Sequence, residues 1–201
     1  FEADLLEEVL AGEDVSAADV ARLSELTDFV VEDEPGQFRF AHELLGAAAY
    51  EGLSFARRRE LHRKIGLAIE ARSGDEAASV LSRHFYAAEE FDRAWRFGVI
   101  AGDAARAGYA NVDAAEYYGR AIDAARELTT VAPEEVARVA ENLGDVREVA
   151  AQYGDAQAAY WLARDLLTDR PLDQARLLSK TGYLLEKDAR YAEAIAEHEK
   201  G

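Results

Sequence analysis

Apolar positions alternate with acidic ones at helical spacing from the first residues onward. Leu5, Leu6, Val9 and Leu10 share one face of a helix expected over residues 1–10 and ending at Gly12. Ser16, with Asp19 three residues later, has the pattern of an N-cap ahead of a second helix reaching Thr27, its inner side formed by Val20, Leu23 and Leu26. After Thr27 the period changes. Phe29 to Val31 and Gln37 to Phe40 are short β-prone runs separated by Glu32-Asp33-Glu34-Pro35-Gly36, and Pro-Gly is a turn signal. Helix, helix and hairpin make the outline of a partial winged helix. Two more helices follow, over about 42–51 and 56–72, before the polar break Ser73-Gly74-Asp75.

From Asp75 onward no segment has convincing strand character. Gly, Asp and Pro punctuate the chain near 90–92, 108, 129–133, 154–155, 169–171 and 187–190, which leaves seven helices of roughly 11 to 18 residues. Gly102, Ala114, Tyr118 and Ala121 recur 42 residues later as Gly144, Ala156, Tyr160 and Ala163; Gly182 and Ala194 extend the pattern 38 residues further. The spacing of Gly, then Ala, then an aromatic or His is similar to the tetratricopeptide repeat, a helix-turn-helix unit whose small residues let paired helices approach closely. Leu143-Gly144, Tyr153, Ala156, Tyr160 and Ala163 fit that pattern best. The expected fold is therefore mainly α: a partial winged helix with a short hairpin plus helical connector over 1–74, then an α-solenoid of tetratricopeptide-like helix pairs over 75–201, truncated at Gly201 without a polar capping helix. The absence of Met is read as the mark of a fragment or processed chain.

Composition narrows the function more by exclusion than by assignment. The 201 residues contain no Cys, so disulfides, thiolate metal sites and cysteine nucleophiles are excluded. No run of 18 apolar residues spans a bilayer, and the acidic start differs from the basic start of a signal peptide, so a cytoplasmic location without membrane partners is expected. Lys and Arg total 23 against 40 Asp and Glu, a formal net charge of −17. Residues 1–56 carry 14 acidic and 2 basic side chains, whereas 57–72 carry 6 basic and 2 acidic. Nucleic-acid affinity comes mainly from cations that neutralise phosphates, so no nucleic-acid partner is expected. In the second helix of the winged-helix outline, Arg22 stands between Asp19 and Glu25, which argues against DNA reading.

Catalytic signals are weak. His42-Glu43 opens like a HExxH zinc motif, but Gly46 occupies the place of the second ligand, and His62 and His84 stand alone, so no metal site is assigned. No phosphate-binding GxxxxGK[ST] loop, GxSxG elbow or GxGxxG turn is present, and the chain is expected not to be an enzyme. The run Arg57-Arg58-Arg59-Glu60-Leu61-His62-Arg63-Lys64 lies on a helix whose buried stripe is Leu61, Ile65, Ala68 and Ile69; it reads as a patch that docks an acidic domain or contacts phosphate or, preferentially, as a solvated face complementing nearby acid. Tyr109, Tyr117, Tyr153 and Trp161 offer aromatic contacts to a partner or simply fill the core, and are not assigned as a site.

The stretch from Phe38 to Glu70 resembles the segment between the ATPase module and the tetratricopeptide repeats of bacterial STAND-class signal-transduction ATPases, most closely those attached to class III adenylate or guanylate cyclases. Phe38, Phe40, His42, Leu44, Ala49-Tyr50, Leu53, Arg58, Leu61-His62 and Glu70 carry the resemblance. It implies a parent protein that uses ATP or ADP with Mg, an adjacent ATPase domain in the same chain, and a cyclase or DNA-binding output. Ala41-His42-Glu43-Leu44-Leu45 is similar to the Met-His-Asp motif, with Ala for Met and Glu for Asp. The resemblance implies that His42 contacts the ADP phosphate in the resting state; the alternative is a histidine capping a local carbonyl. The expected role is a regulatory, protein-binding region whose repeats sense a protein or peptide on their concave face. The alternatives are a structural scaffold that forms a homodimer, or the sensor region of a transcription regulator of the same class.

Overall fold

The computed structural model describes residues 2–11, 19, 20 and 22–199. Its chain is mainly helical, with one two-stranded hairpin near the start, and it divides into two compact units: Phe1–Ala77 with Ala87–Glu89, and Ala78–Tyr86 with Glu90–Gly201.

In the first unit, α1 spans Ala3–Leu10 and buries Val9. Phe1, Gly12 and the proposed cap Ser16 lie outside the described residues. Asp19 and Val20 are helical and Val20 is buried, but the expected helix does not run unbroken to Thr27. Arg22–Glu25 form a single 3-10 turn instead, and Leu26 is exposed rather than inward. The Leu26 carbonyl accepts the backbone N–H groups of both Phe29 and Val30, which turns the chain directly into a strand.

Strand β1 (Val30–Glu34) pairs antiparallel with β2 (Gln37–Phe40), Val30 facing Phe40 and Glu32 facing Phe38, with an irregularity between Glu32 and Glu34. The acidic triplet expected in the loop is thus strand, and the turn shrinks to Pro35-Gly36. Gly36 has a φ of 77°, where a side chain would be strained, and its N–H donates to Glu32 Oε1 at 2.8 Å. Arg39 Nε donates to Asp33 Oδ2 at 2.6 Å, so pairing across the hairpin compensates for three adjacent carboxylates. The start of α1 joins this edge through Ala3 N–H to the Gly36 carbonyl at 2.9 Å.

Helices α2 (Glu43–Glu51) and α3 (Phe55–Ser73) complete the first unit close to their expected bounds. Ser54 caps α3, its Oγ accepting from Arg57 N at 3.2 Å, and Gly74, at a φ of 50°, ends it. α3 packs against α1, and Arg72 reaches Glu8 at 2.7 Å. Of the expected inner stripe only Ala68 is fully buried; Leu61, Ile65 and Ile69 are half-buried.

Among the described residues of the second unit, seven helices follow: α4 (Ala78–Ala87, whose last residue groups with the first unit), α5 (Phe91–Ala107), α6 (Asn111–Ala125), α7 (Pro133–Val149), α8 (Tyr153–Leu166), α9 (Pro171–Lys187) and α10 (Tyr191–His198). Each helix from α5 to α10 packs on the next. Pro133 and Pro171 occupy first-turn positions, where their missing N–H has no partner to lose. The turns inside the pairs α5–α6, α7–α8 and α9–α10 are copies of one another. Tyr109, Ala151 and Ala189 each adopt a left-handed backbone, with φ of 60°, 57° and 58°. The next N–H then bonds back five residues, Ala110 to Ala105, Gln152 to Arg147 and Arg190 to Leu185, at 2.8 to 2.9 Å. This satisfies the last carbonyls of the first helix and aims the second back along it.

The small residues of the repeat sit where the paired helices touch. A Cβ on Gly102 would collide with the Tyr118 ring, one on Gly144 with the Tyr160 ring, and one on Gly182 with the His198 ring. Ala114, Ala121, Ala156 and Ala163 are completely buried around these rings, within a continuous core that also holds Val139, Leu177 and Leu184. The 42-residue and 38-residue offsets thus share one structural correlate, a ring packed against a glycine at each helix crossing.

Candidate interaction surface

Burying a tyrosine ring leaves its hydroxyl needing a partner. Tyr118 Oη donates to Asp103 Oδ1 at 2.6 Å; Tyr160 Oη donates to Asp145 Oδ1 at 2.9 Å and Glu148 Oε2 at 3.0 Å. In the third pair His198 Nε2 lies 3.3 Å from Glu186 Oε1. Burial and the neighbouring carboxylates push both phenol pKa values well above the ordinary value of 10.0, so the hydroxyls stay neutral donors.

The same carboxylates bind cations on the neighbouring pair and so join α5, α7 and α9 side by side. Arg138 approaches Asp103 at 3.7 Å, and Arg106 donates to Asn142 Oδ1 at 2.9 Å. Arg176 makes two bonds to Glu141, at 3.1 and 2.8 Å, in the fork geometry that suits a carboxylate. Lys180 bridges Glu141 at 2.9 Å and Asp145 at 2.5 Å, and Lys187 reaches Glu148 at 2.7 Å. Tyr183 stands half-exposed beside this row, with the Lys187 ammonium 4.6 Å from its ring centre. The result is a polar strip across three helices, with carboxylates on α7 and partly exposed cations on α9. The strip presents both signs of charge beside the half-exposed Tyr183 ring.

None of these strip residues was singled out from the sequence, because their partners lie about one repeat away and in a chain this acidic no single carboxylate stands out. The aromatic candidates divide. Tyr109 is 88% exposed and lines an open hollow of about 340 Å³ with Asp103, Arg106 and Ala107. Trp161 is partly exposed, Tyr153 packs against the core, and Tyr117 is half-buried with the Arg120 guanidinium 5.3 Å from its ring centre.

In the first unit His42 is the exposed residue preceding α2, in extended backbone (φ −136°, ψ 137°). Its ring makes no capping bond and has no hydrogen-bond or ion-pair partner among the described residues. His62 lies 3.0 Å from Tyr50 Oη through its Nε2, and His84 is half-buried on α4. No group of His, Asp and Glu able to hold a metal occurs among the described residues. The basic run turns largely inward on its own surroundings. Arg57 and Lys64 pair with Glu60, Arg59 pairs with Glu89 at 2.9 Å, and Arg58 donates to the Leu53 and Glu51 carbonyls while stacking on Tyr50. Among the described residues, no helix is long and apolar enough to cross a membrane. No family model matches the chain, and no curated protein is significantly similar to it.

Proposed function

We propose that this chain is a non-catalytic regulatory and protein-interaction region of a multidomain signalling ATPase, with a partial winged helix and connector over 1–74 and a tetratricopeptide-like α-solenoid over 75–201. The observation that carries this reading is the ring-on-glycine crossing repeated at Gly102, Gly144 and Gly182, together with the polar strip that the repetition aligns across α5, α7 and α9. A repeated crossing generates a surface that grows by one helix pair at a time, the geometry on which an extended protein or peptide segment is read. Partner binding regulates the parent ATPase only through a difference in affinity for its closed and open states.

His42 is the proposed sensor of an ADP phosphate held, with Mg, by the adjacent ATPase domain. Its exposed, partnerless imidazole supports the role, because a free N–H is what a phosphate oxygen requires. The scaffold reading, in which the region only holds copies together, draws support from a different observation: the strip carboxylates already have partners within the fold.

The test is the ATPase or cyclase output of the longer protein with and without residues 75–201. Release of activity on deletion supports an inhibitory sensor; unchanged output favours the scaffold. His42→Ala in the same protein is expected to shorten ADP retention and raise basal output, and unchanged retention removes the sensor role.

A further inference from the structure

Helix α2 has a composition that belongs in a core, ELLGAAAYE, yet none of its nine residues is buried. Leu44, Ala47 and Ala48 lie one helical turn apart on a single face, all exposed, with Leu44 at 82%. The opposite side accounts for what α2 already touches: Gly46 rests on the Phe40 ring and Tyr50 meets His62. Phe55, the first residue of α3, is also 77% exposed, and the Arg58 guanidinium lies 4.8 Å from the Tyr50 ring centre and 5.9 Å from that of Phe55.

Charge decides what covers such a face. Glu43 and Glu51 bracket the stripe, and Asp28 and Glu34 stand exposed in the same unit; among the described residues none of the four has a side-chain partner. Cations of this unit are already engaged: Arg22 with Glu25 at 3.4 Å, Arg39 with Asp33 at 2.6 Å, Arg57 and Lys64 with Glu60, Arg59 with Glu89, Arg72 with Glu8, and Arg58 with the Leu53 and Glu51 carbonyls. A second copy meeting the same face would set unpaired carboxylates against each other, and an anionic bilayer would repel them.

We infer that the Leu44–Ala47–Ala48 face of α2 is a docking surface for another protein, whose apolar contact is rimmed by lysine or arginine side chains that pair with Glu43 and Glu51. The apolar stripe supplies affinity and the flanking carboxylates supply orientation and partner choice.

The probe is a fluorescent 14-residue amphipathic helical peptide with a leucine face flanked by lysines, titrated into the full chain by anisotropy, beside a version with glutamate for lysine. The lysine peptide is expected to bind and the glutamate peptide not. Leu44→Ser with Ala48→Ser, at exposed positions, should weaken binding about tenfold or more with an unchanged circular dichroism spectrum. Glu43→Gln with Glu51→Gln should weaken it several-fold and flatten its salt dependence. Binding that ignores the serine pair is general attraction to an acidic chain and overturns the inference, as does no binding at all. A concentration-dependent dimer that Leu44→Ser dissolves gives the face to a second copy, and flotation with phosphatidylcholine vesicles lost in the same variant gives it to lipid; either also overturns it.

Discussion

Gly144 and Gly119 are both helical, and the same substitution at each should move stability in opposite directions. Alanine is favoured over glycine inside a helix by about 0.8–1 kcal/mol. At Gly119, in α6, nothing lies within 4 Å of a new Cβ, so Gly119→Ala should stabilise by about 0.5–1 kcal/mol. At Gly144 the Cβ would enter the Tyr160 ring, which is fully buried and held by bonds to Asp145 and Glu148. Overpacking of that kind costs about 1–3 kcal/mol, enough to exceed the propensity gain, and Gly144→Ala should lower the urea midpoint while Gly119→Ala raises it. Equal shifts of one sign would mean that ring-on-glycine contacts do not hold the helix pairs at their present distance.

Two of the three helix pairs, α5–α6 and α7–α8, each hold a buried phenol, and this gives the two a common pH response. The folded-state pKa values of Tyr118 and Tyr160 are raised by burial first, then by the carboxylates beside them. A raised value means that the neutral phenol is favoured by folding, so this contribution is fully present below the unfolded value of about 10 and is lost as pH rises through the folded values. Among nine tyrosines, these two are expected to appear as tyrosinate only together with the loss of helical circular dichroism. In Tyr118→Phe with Tyr160→Phe that late, cooperative absorbance step should vanish. A smooth titration of all nine before unfolding would remove both phenols from the core. The helices themselves were legible in the sequence, since Pro133, Pro171 and the glycine-aromatic spacing mark their ends and crossings. The 3-10 turn at Arg22–Glu25 and the strand character of Glu32–Glu34 were not. Both depend on pairing with residues elsewhere, the Leu26 carbonyl on β1 and the carboxylates on β2, which a local pattern does not contain. The polar strip was illegible for the same reason: Arg176 and Glu141 become partners only through the relative rotation of α7 and α9.

Across the whole molecule two electrostatic effects oppose each other, and salt separates them. The ion pairs joining α5, α7 and α9 favour the folded chain, but most are partly exposed, and such pairs contribute about 0–1 kcal/mol each. Against them stands a net charge of −17, held closer together in the folded state than in the unfolded one and concentrated in residues 1–56 with 14 acidic and 2 basic side chains. Paired charges a few ångströms apart are screened little at moderate ionic strength, whereas charges separated by more than the Debye length of about 10 Å at 0.1 M are screened strongly. The repulsion therefore weakens first. Raising NaCl from about 0.02 to 0.3 M should lift the thermal midpoint by roughly 2–4 °C, the shift that corresponds to about 1 kcal/mol in a chain of this size. Arg176→Gln, which removes the forked contact to Glu141 and adds to the net negative charge, should lower the midpoint at low salt and make its rise with salt steeper. A midpoint that falls with added salt would place the balance with the strip instead, and the Arg176→Gln variant would then show a shallower fall than the parent chain.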